Sequence, residues 1–261
     1  MKQESITVRE KESTVRIQVS QVNALRIKDI TRKAVRVYAD HKIGISGAEG
    51  ESTDAVLLEN AVQNLAAGIE YPYDLSRERK DHRTYNHQSL EPEELLQNAE
   101  EILAVLRRDY PDFNFSEFIS SSEVHYKMKN SEGLDLEYKD AFFLVNLILK
   151  EKTTANLFDG ALICQSRRFE PDLFWSFNRM FLEACRRKAD LPKNRTMPVF
   201  TLGTSGILSF LGRALNGRRY AQGSSLFSGK LGTQLYSEKI MIDLNRNPKL
   251  KAGPFYDQGW F

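Results

Sequence analysis

Between Ser5 and Ile45 the chain alternates apolar and polar residues almost without interruption, in the runs SITVRE, TVRIQVSQ, ALRIKDIT and AVRVYA. A period of two places successive side chains on opposite faces, which only extended backbone can satisfy, and β-branched enrichment reinforces it. This stretch therefore commits the chain to a sheet. Asp40-His41-Lys42 separates AVRVYA from IGISG and predicts a hairpin turn, because short polar residues tolerate tight-turn dihedrals. The expectation is an opening meander of four or five antiparallel strands.

The pattern then changes period. Ser52 or Thr53 is placed to cap a helix running to about Ala67, with Val56, Leu57, Ala61, Val62 and Leu65 on its apolar face and Gly68 as its stop. Tyr71–Leu90 is charged and without apolar periodicity, so it reads as an irregular surface crossing. A second helix begins near Ser89, with Pro92 early in it, where a missing N–H costs little; Leu95, Leu96, Ala99, Ile102, Leu103 and Leu106 face inward and Pro111 marks its exit. Phe115 to Phe169 returns to strands, with a hairpin turned at Asn130-Ser131-Glu132-Gly133 and two further strands in DAFFLVNLILKEK and ANLFDGALICQSRR. Asp172–Lys188 is an amphipathic helix expected to bury Leu173, Phe174, Phe177, Met180, Phe181 and Ala184.

Strands, two helices, strands and a helix make an α+β layered domain, with antiparallel and mixed sheets packed against amphipathic helices over residues 1–190. Leu191-Pro192-Lys193-Asn194 reads as a linker. A short strand (Met197–Leu202) and a helix (Ser205–Asn216) then open a partial β-rich C-terminal domain over 191–261.

Composition narrows the function classes. Lys+Arg of 37 against Asp+Glu of 35 leaves a net charge of +2, without the basic excess of a non-specific nucleic-acid binder. Cys164 and Cys185 are too few for a disulfide framework and read as buried thiols in a reducing compartment. MKQESITVRE lacks the apolar core of a secretory signal, and no apolar run approaches the ~20 residues of a membrane span. The chain reads as soluble and cytoplasmic.

Motifs of chemistry are sparse. His41 and His125 lack sequence neighbours that could share a metal, and Arg83 follows His82 where a zinc-peptidase pairing of His82 with His87 would need a glutamate. Gly203-Thr204-Ser205-Gly206 only loosely resembles a nucleophile elbow, and no histidine follows Ser205 to serve as base, so Ser205 reads as a helix cap. Gly223-Ser224-Ser225 and Gly229-Lys230-Leu231-Gly232 lack Walker spacing and read as turns, and Arg218-Arg219-Tyr220 reads as a solvated loop rather than an anion site.

Several segments together resemble the TldD/PmbA family, once called modulators of DNA gyrase and related to metalloproteases. Ala34–Gly47 resembles that family's N-terminal hairpin, and Asn130-Ser131-Glu132-Gly133 falls where the family has Asn-Ser-x-Gly. Ser205–Phe261, with SGILSFLGRALNG, SSLFSGKLGTQLYSEKIMIDLNRNP and GPFYDQGW, is similar to the family's helix, small-residue loop and Asp-x-Glu-Gly-like segment in order. The metalloprotease kind of subunit carries His-Glu-x-x-x-His on this helix. Here the matching positions are Phe210, Leu211 and Leu215, all apolar, so ligands and base are absent. The helix resembles instead the metal-free PmbA (TldE) subunit, and the structural reading of Phe210 and Leu215 is packing. The family continues in a long β-rich region, whereas this sequence ends at Phe261, Asp257-Gln258-Gly259 departs from the acidic pair, and neither the family's downstream cysteine ligand nor its helix before the first strand has a counterpart.

The resemblance implies a non-catalytic partner of a TldD-type zinc metalloprotease, dimeric with it or with itself, that helps bind or process peptides and unfolded polypeptide. No cofactor is expected in this chain, and zinc is expected only in the partner subunit. The alternatives are an autonomous metallopeptidase and a DNA gyrase-associated binding module. Leu235–Leu244 is expected to form a sheet-edge strand, with Leu235, Tyr236, Ile240 and Ile242 offered to a peptide or partner by strand addition.

Overall fold

The structure is a computed structural model that describes residues 1–85, 89–167, 169–187 and 212–239. The chain divides into two compact units, Met1–Lys188 and Ala189–Phe261. The first is an α+β unit built on a seven-stranded sheet, with strands β1 (Lys2–Gln18), β2 (Gln21–Ala39), β3 (Lys42–Glu49), β4 (Lys80–Thr84), β5 (Phe113–Asn130), β6 (Asp135–Glu151) and β7 (Gly160–Ser166). Their order is β3-β2-β1-β5-β6-β4, with β7 also on β6.

The alternating stretch forms three strands rather than four or five, because β1 and β2 run unbroken for 17 and 19 residues. Two-residue turns join them. Val19 and Ser20 turn with φ of 50° and 61°, and Asp40 and His41 with φ of 49° and 57°. A β-branched residue at positive φ is costly, and the Val19–Ser20 turn is clamped from outside. Ser20 N–H donates to the Phe115 carbonyl, its hydroxyl accepts from Phe115 N–H, and Arg107 donates to its carbonyl.

Helices α1 (Asp54–Gln63), α2 (Pro92–Asp109) and α3 (Pro171–Arg186) accompany the sheet. The Thr53 hydroxyl accepts from Val56 N–H as N-cap of α1, and a 3-10 turn over Asn64–Ala67 ends at Gly68 in the left-handed region. The α1 helix places Leu57 and Ala61 on Val35 and Val37. Pro92 opens α2, which lays Leu95, Ala99, Ile102, Leu103 and Leu106 over Val15, Ile119, Val145 and Leu147. Within this core α3 contributes Phe174 and Leu182. All three helices lie on the face that carries the odd-numbered residues of β1, β5 and β6.

The opposite face is crossed by residues 69–79 on the way to β4. Ile43 N–H bonds the Ile69 carbonyl and Tyr71 N–H the His41 carbonyl, and Leu75 is buried against Tyr38 and Ile43. The Asn130 hairpin forms as expected, its side-chain oxygen accepting from Glu132 and Leu134 N–H while its amide donates to the Ser76 carbonyl.

Three expectations are corrected. The Tyr71–Leu90 stretch contains a strand, β4, parallel to the start of β6. DAFFLVNLILKEK is no separate strand but the continuation of β6. In α3 the buried stripe is Phe174, Asn178 and Leu182, whereas Leu173, Phe177 and Met180 are exposed, Phe177 by 64%. Both stripes are apolar enough to pack, and the sheet takes the one that reaches Phe143 through Phe169.

In the second unit the described residues comprise helix at 212–214, a short helix α4 (Gly217–Ala221), and turns. The Ser225 hydroxyl donates to the Ala214 carbonyl and accepts from Phe227 N–H, and Phe227 meets Tyr236 edge-on.

The α1 helix rests on β3 at Gly44, where any Cβ would collide with the Ala61 carbonyl. Gly44→Ala is expected to push α1 off the sheet and destabilise the chain by about 1–3 kcal/mol, read as a lower midpoint in urea at unchanged slope.

Candidate functional site

The positions that the family resemblance assigns to zinc ligation lie in the second unit. Phe210 and Leu211 fall outside the described residues, as do Ile240 and Ile242. Leu215 sits where the chain turns out of helix, with Asn216 N–H bonded to the Arg213 carbonyl, and is 50% exposed while Ala214 is buried. The packing expected of Leu215 is therefore corrected: the helix ends there, so no continuing face carries its side chain inward. Carbon-only side chains at all three positions supply no donor for a metal, so the residues present do not fit zinc. Among the described residues no three His, Cys, Asp or Glu converge on a metal-sized site. His82 bonds Asp135 at 3.2 Å, and its proposed companion His87 is outside the described residues.

Tyr236 lies in a bend and Leu235 in irregular chain, with the Gln234 amide donating to the Tyr236 carbonyl at 2.9 Å. The strand expected over them is absent from its described half.

A different feature stands out in the first unit. The pairing register aligns polar side chains in rows across five strands on the helix-bearing face. One row reads Lys33, Thr7, Lys127, Glu137 and His82 from β2 to β4. The next reads Thr31, Arg9, His125, Lys139 and Thr84. Flanking rows add Ser5, Lys129, Asp135 and Lys80 on one side, and Asp29, Lys11 and Glu123 on the other. This polar band lies between α1 and the core under α2, and no described element crosses it.

Its electrostatics are unbalanced. The Glu137 carboxylate faces the His125 imidazole, with Nε2 at 2.7 Å, and two lysines, Lys139 at 3.6 Å and Lys127 at 4.0 Å. The hydrogen bond from His125 holds the Glu137 carboxyl below its usual range, assisted by both lysines and opposed by partial burial. Partial burial raises the Asp135 carboxyl, yet bonds from His82 and Lys129 bring it below its ordinary value. Arg9 grips Asp29 bidentately at 3.0 and 2.7 Å and lowers it likewise. Lys11 and Lys80 make no ion pair among the described residues. A cleft of about 300 Å³ opens at the α1 end of the band, lined by Ser5, Val35, Leu58 and Lys129, and a second of about 590 Å³ is lined by Asp29, Thr31, Lys33 and Thr53.

On the other face, β6 changes partners. β4 pairs its residues 135–139 and β7 its residues 143–149, so the sheet forks at Asp140–Phe142. Asp140 is fully buried at the fork and is held bidentately by Arg167 at 2.9 Å, with Tyr138 hydroxyl donating at 2.7 Å. The Arg167 guanidinium stacks on Tyr85 at 3.7 Å from its centroid. The bond to Asp140 holds the guanidinium's pKa above its usual value, and burial with the neighbouring carboxylate pushes the Tyr138 phenol up. This network joins β4, β6 and β7 and reads as structural. Neither it nor the band was recognised from sequence, although charged residues at odd positions of β1 and β5 were visible there.

No protein-family model matches this chain, and no curated protein matches it in sequence. Its fold, however, has clear counterparts among solved structures. TldE from Thermococcus kodakarensis superposes with a TM-score of 0.68 at 12% identity, over 88% of this chain and 55% of that one. A candidate modulator of a DNA gyrase from Thermotoga maritima gives 0.65 at 15% identity, over 89% and 56%, and another from Bacteroides thetaiotaomicron gives 0.63 at 13%, over 90% and 57%. The fold is that of the TldD/PmbA family. This chain spans just over half the length of these structures.

Two outcomes follow from this geometry. Asp140→Ala is expected to cost about 3–5 kcal/mol by stranding a buried guanidinium, and Asp140→Ala with Arg167→Met to cost less than the sum of the single changes, a coupling that a double-mutant cycle in urea measures. Glu137 contributes stability that is complete above its unfolded value near 4.5 and is lost as pH falls through its lowered folded value. The melting-temperature gap between the parent and Glu137→Gln is therefore expected to be widest above pH 4.5 and to close in more acidic buffer.

Proposed function

We propose that this chain is a PmbA/TldE-like subunit without metal chemistry of its own, which pairs with a TldD-type zinc metalloprotease in the cytoplasm and helps it hold peptides or unfolded polypeptide. One observation carries the reading: a chain with the fold of TldE has Phe210, Leu211 and Leu215 where the resemblance assigns two ligands and a base. Apolar side chains cannot bind zinc or move a proton, so an activity of the family would have to be supplied by another subunit.

The exposed side of α3 supports association. Leu173, Phe177 and Met180 form a solvent-facing apolar stripe at helical spacing, and stripes of this kind mark protein contact surfaces. No described helix is long and apolar enough to cross a membrane.

Affinity purification from the native host is expected to recover a subunit carrying His-Glu-x-x-x-His together with zinc, and Phe177→Asp to weaken that recovery without unfolding the chain. Stoichiometric zinc in this chain purified alone would overturn the reading in favour of an autonomous metallopeptidase. Tight, strongly salt-dependent DNA binding would favour the gyrase-associated alternative.

A further inference from the structure

We propose that the polar band on the helix-bearing face of the sheet is a docking surface for an extended, acidic polypeptide segment. This deepens the accessory-subunit reading by naming the class of polypeptide held, and it rests on that reading only for its biological setting.

Charge is the first argument. Within the rows, seven lysine and arginine side chains stand against four carboxylates, and Asp54 of α1, which reaches Lys33 at 3.2 Å, makes a fifth, although the whole chain is nearly neutral. Glu137 alone serves Lys127, Lys139 and the His125 imidazole, Lys80 makes no ion pair among the described residues, and Lys11 acts only at longer range on Asp29, a carboxylate that Arg9 already holds. A carboxylate brought to the band therefore meets cations whose charge is incompletely neutralised. Such pairs are individually weak at a surface and gain by forming a network.

Spacing is the second. Lys129, Lys127 and His125 project from alternate positions of β5, and Arg9 and Lys11 from alternate positions of β1. Alternate residues of a strand repeat at roughly 6.6 Å, the same interval at which an extended peptide presents one of its faces. A segment with Asp or Glu at every second residue, lying along β5, keeps in step with Lys129, Lys127 and the His125 imidazole over its length. The cleft beside Lys129 and Leu58 and the one beside Lys33 and Thr53 then offer recesses at the α1 end.

Composition of the band argues for polypeptide over nucleic acid. The rows hold no Phe, Tyr or Trp on which a base could stack. Asp29, Glu123, Asp135 and Glu137 are spread among the cations, where they would repel a continuous run of phosphates but leave room for the uncharged residues between acidic ones.

Fluorescence anisotropy of this chain alone with a labelled alternating Glu-Thr peptide tests the proposal. Saturable binding is expected for that peptide and not for its Lys-Thr counterpart, weakening as salt rises. Lys127→Gln with Lys129→Gln, both half-exposed positions, is expected to lower affinity about tenfold or more, whereas Glu137→Gln with Asp135→Asn, which breaks the same ion pairs from the other side, is expected not to lower it. Lys150→Glu, an exposed control near the end of β6, is expected to leave it unchanged. Equal binding of the two peptides, equal loss in the control, or tighter binding of a single-stranded oligonucleotide than of the acidic peptide would each overturn it. Because no partner is present, failure here leaves pairing with a TldD-type subunit standing, and failure of that pairing leaves this result standing.

Discussion

Strand length governs this molecule. β1, β2, β5 and β6 run for 17 to 19 residues, which at about 3.3 Å per residue makes a sheet roughly 55–60 Å long. The longest described helix, α2, has 18 residues and covers about 27 Å at 1.5 Å each. One helix layer cannot roof such a sheet, so part of a face must meet solvent. The chain resolves this by changing side-chain type along a constant alternation. Val15 and Ile17 lie under α2, Val35 and Val37 lie under α1, and Thr7, Arg9 and Lys11 occupy the gap between them.

The same length creates the fork at β6. A single short strand cannot pair its outer edge, so β4 takes one part in parallel and β7 takes another antiparallel. Unpaired backbone between two partners would be costly if buried. Asp140 sits in that gap and accepts from Ala141 N–H as well as from Arg167 and Tyr138, so side chains take over where the ladder breaks. An ion pair buried this deeply adds little net stability over an apolar substitute. Its contribution is geometric: the paired charges tie the ends of β4 and β7 to one point of β6.

Much of this architecture was legible in the residues. Thr53 and Gly68 bracket the first helix as capping chemistry requires, and Asn130 turns the hairpin with its own side chain. What escaped reading had physical reasons. KDHRT has neither apolar alternation nor length, and only its parallel register on β6 makes it a strand. Val19–Ser20 lacks turn chemistry because its conformation is imposed by Phe115 and Arg107. In α3 two adjacent stripes were both apolar, and burial of Asn178 depends on its amide finding the Phe174 carbonyl, a satisfaction invisible to periodicity. The site was less legible than the fold. Phe210, Leu211 and Leu215 could be read only through a family resemblance, and the polar band only through cross-strand register, which places residues more than 70 apart in sequence side by side.

Comparing the two faces of the sheet shows why the band is distinctive. Opposite it, Glu10 receives both Lys28 and Arg32, Arg32 also reaches Glu49, and Arg36 with the Tyr38 hydroxyl satisfies buried Glu4. There the acids and bases close into local networks, and residues 69–79 cover part of the surface with Leu75 and Tyr71. On the helix-bearing face the cations outnumber the acids in rows that no described element crosses. A sheet needing only solubility could alternate signs, as like charges opposite one another weaken cross-strand pairs. Lys127 and Lys129 do so toward β6, where they meet Glu137 and Asp135, whereas toward β1 they face the uncharged Thr7 and Ser5. Each lysine is thus engaged from one neighbouring strand only, and its β1 side is left to a ligand from outside the sheet.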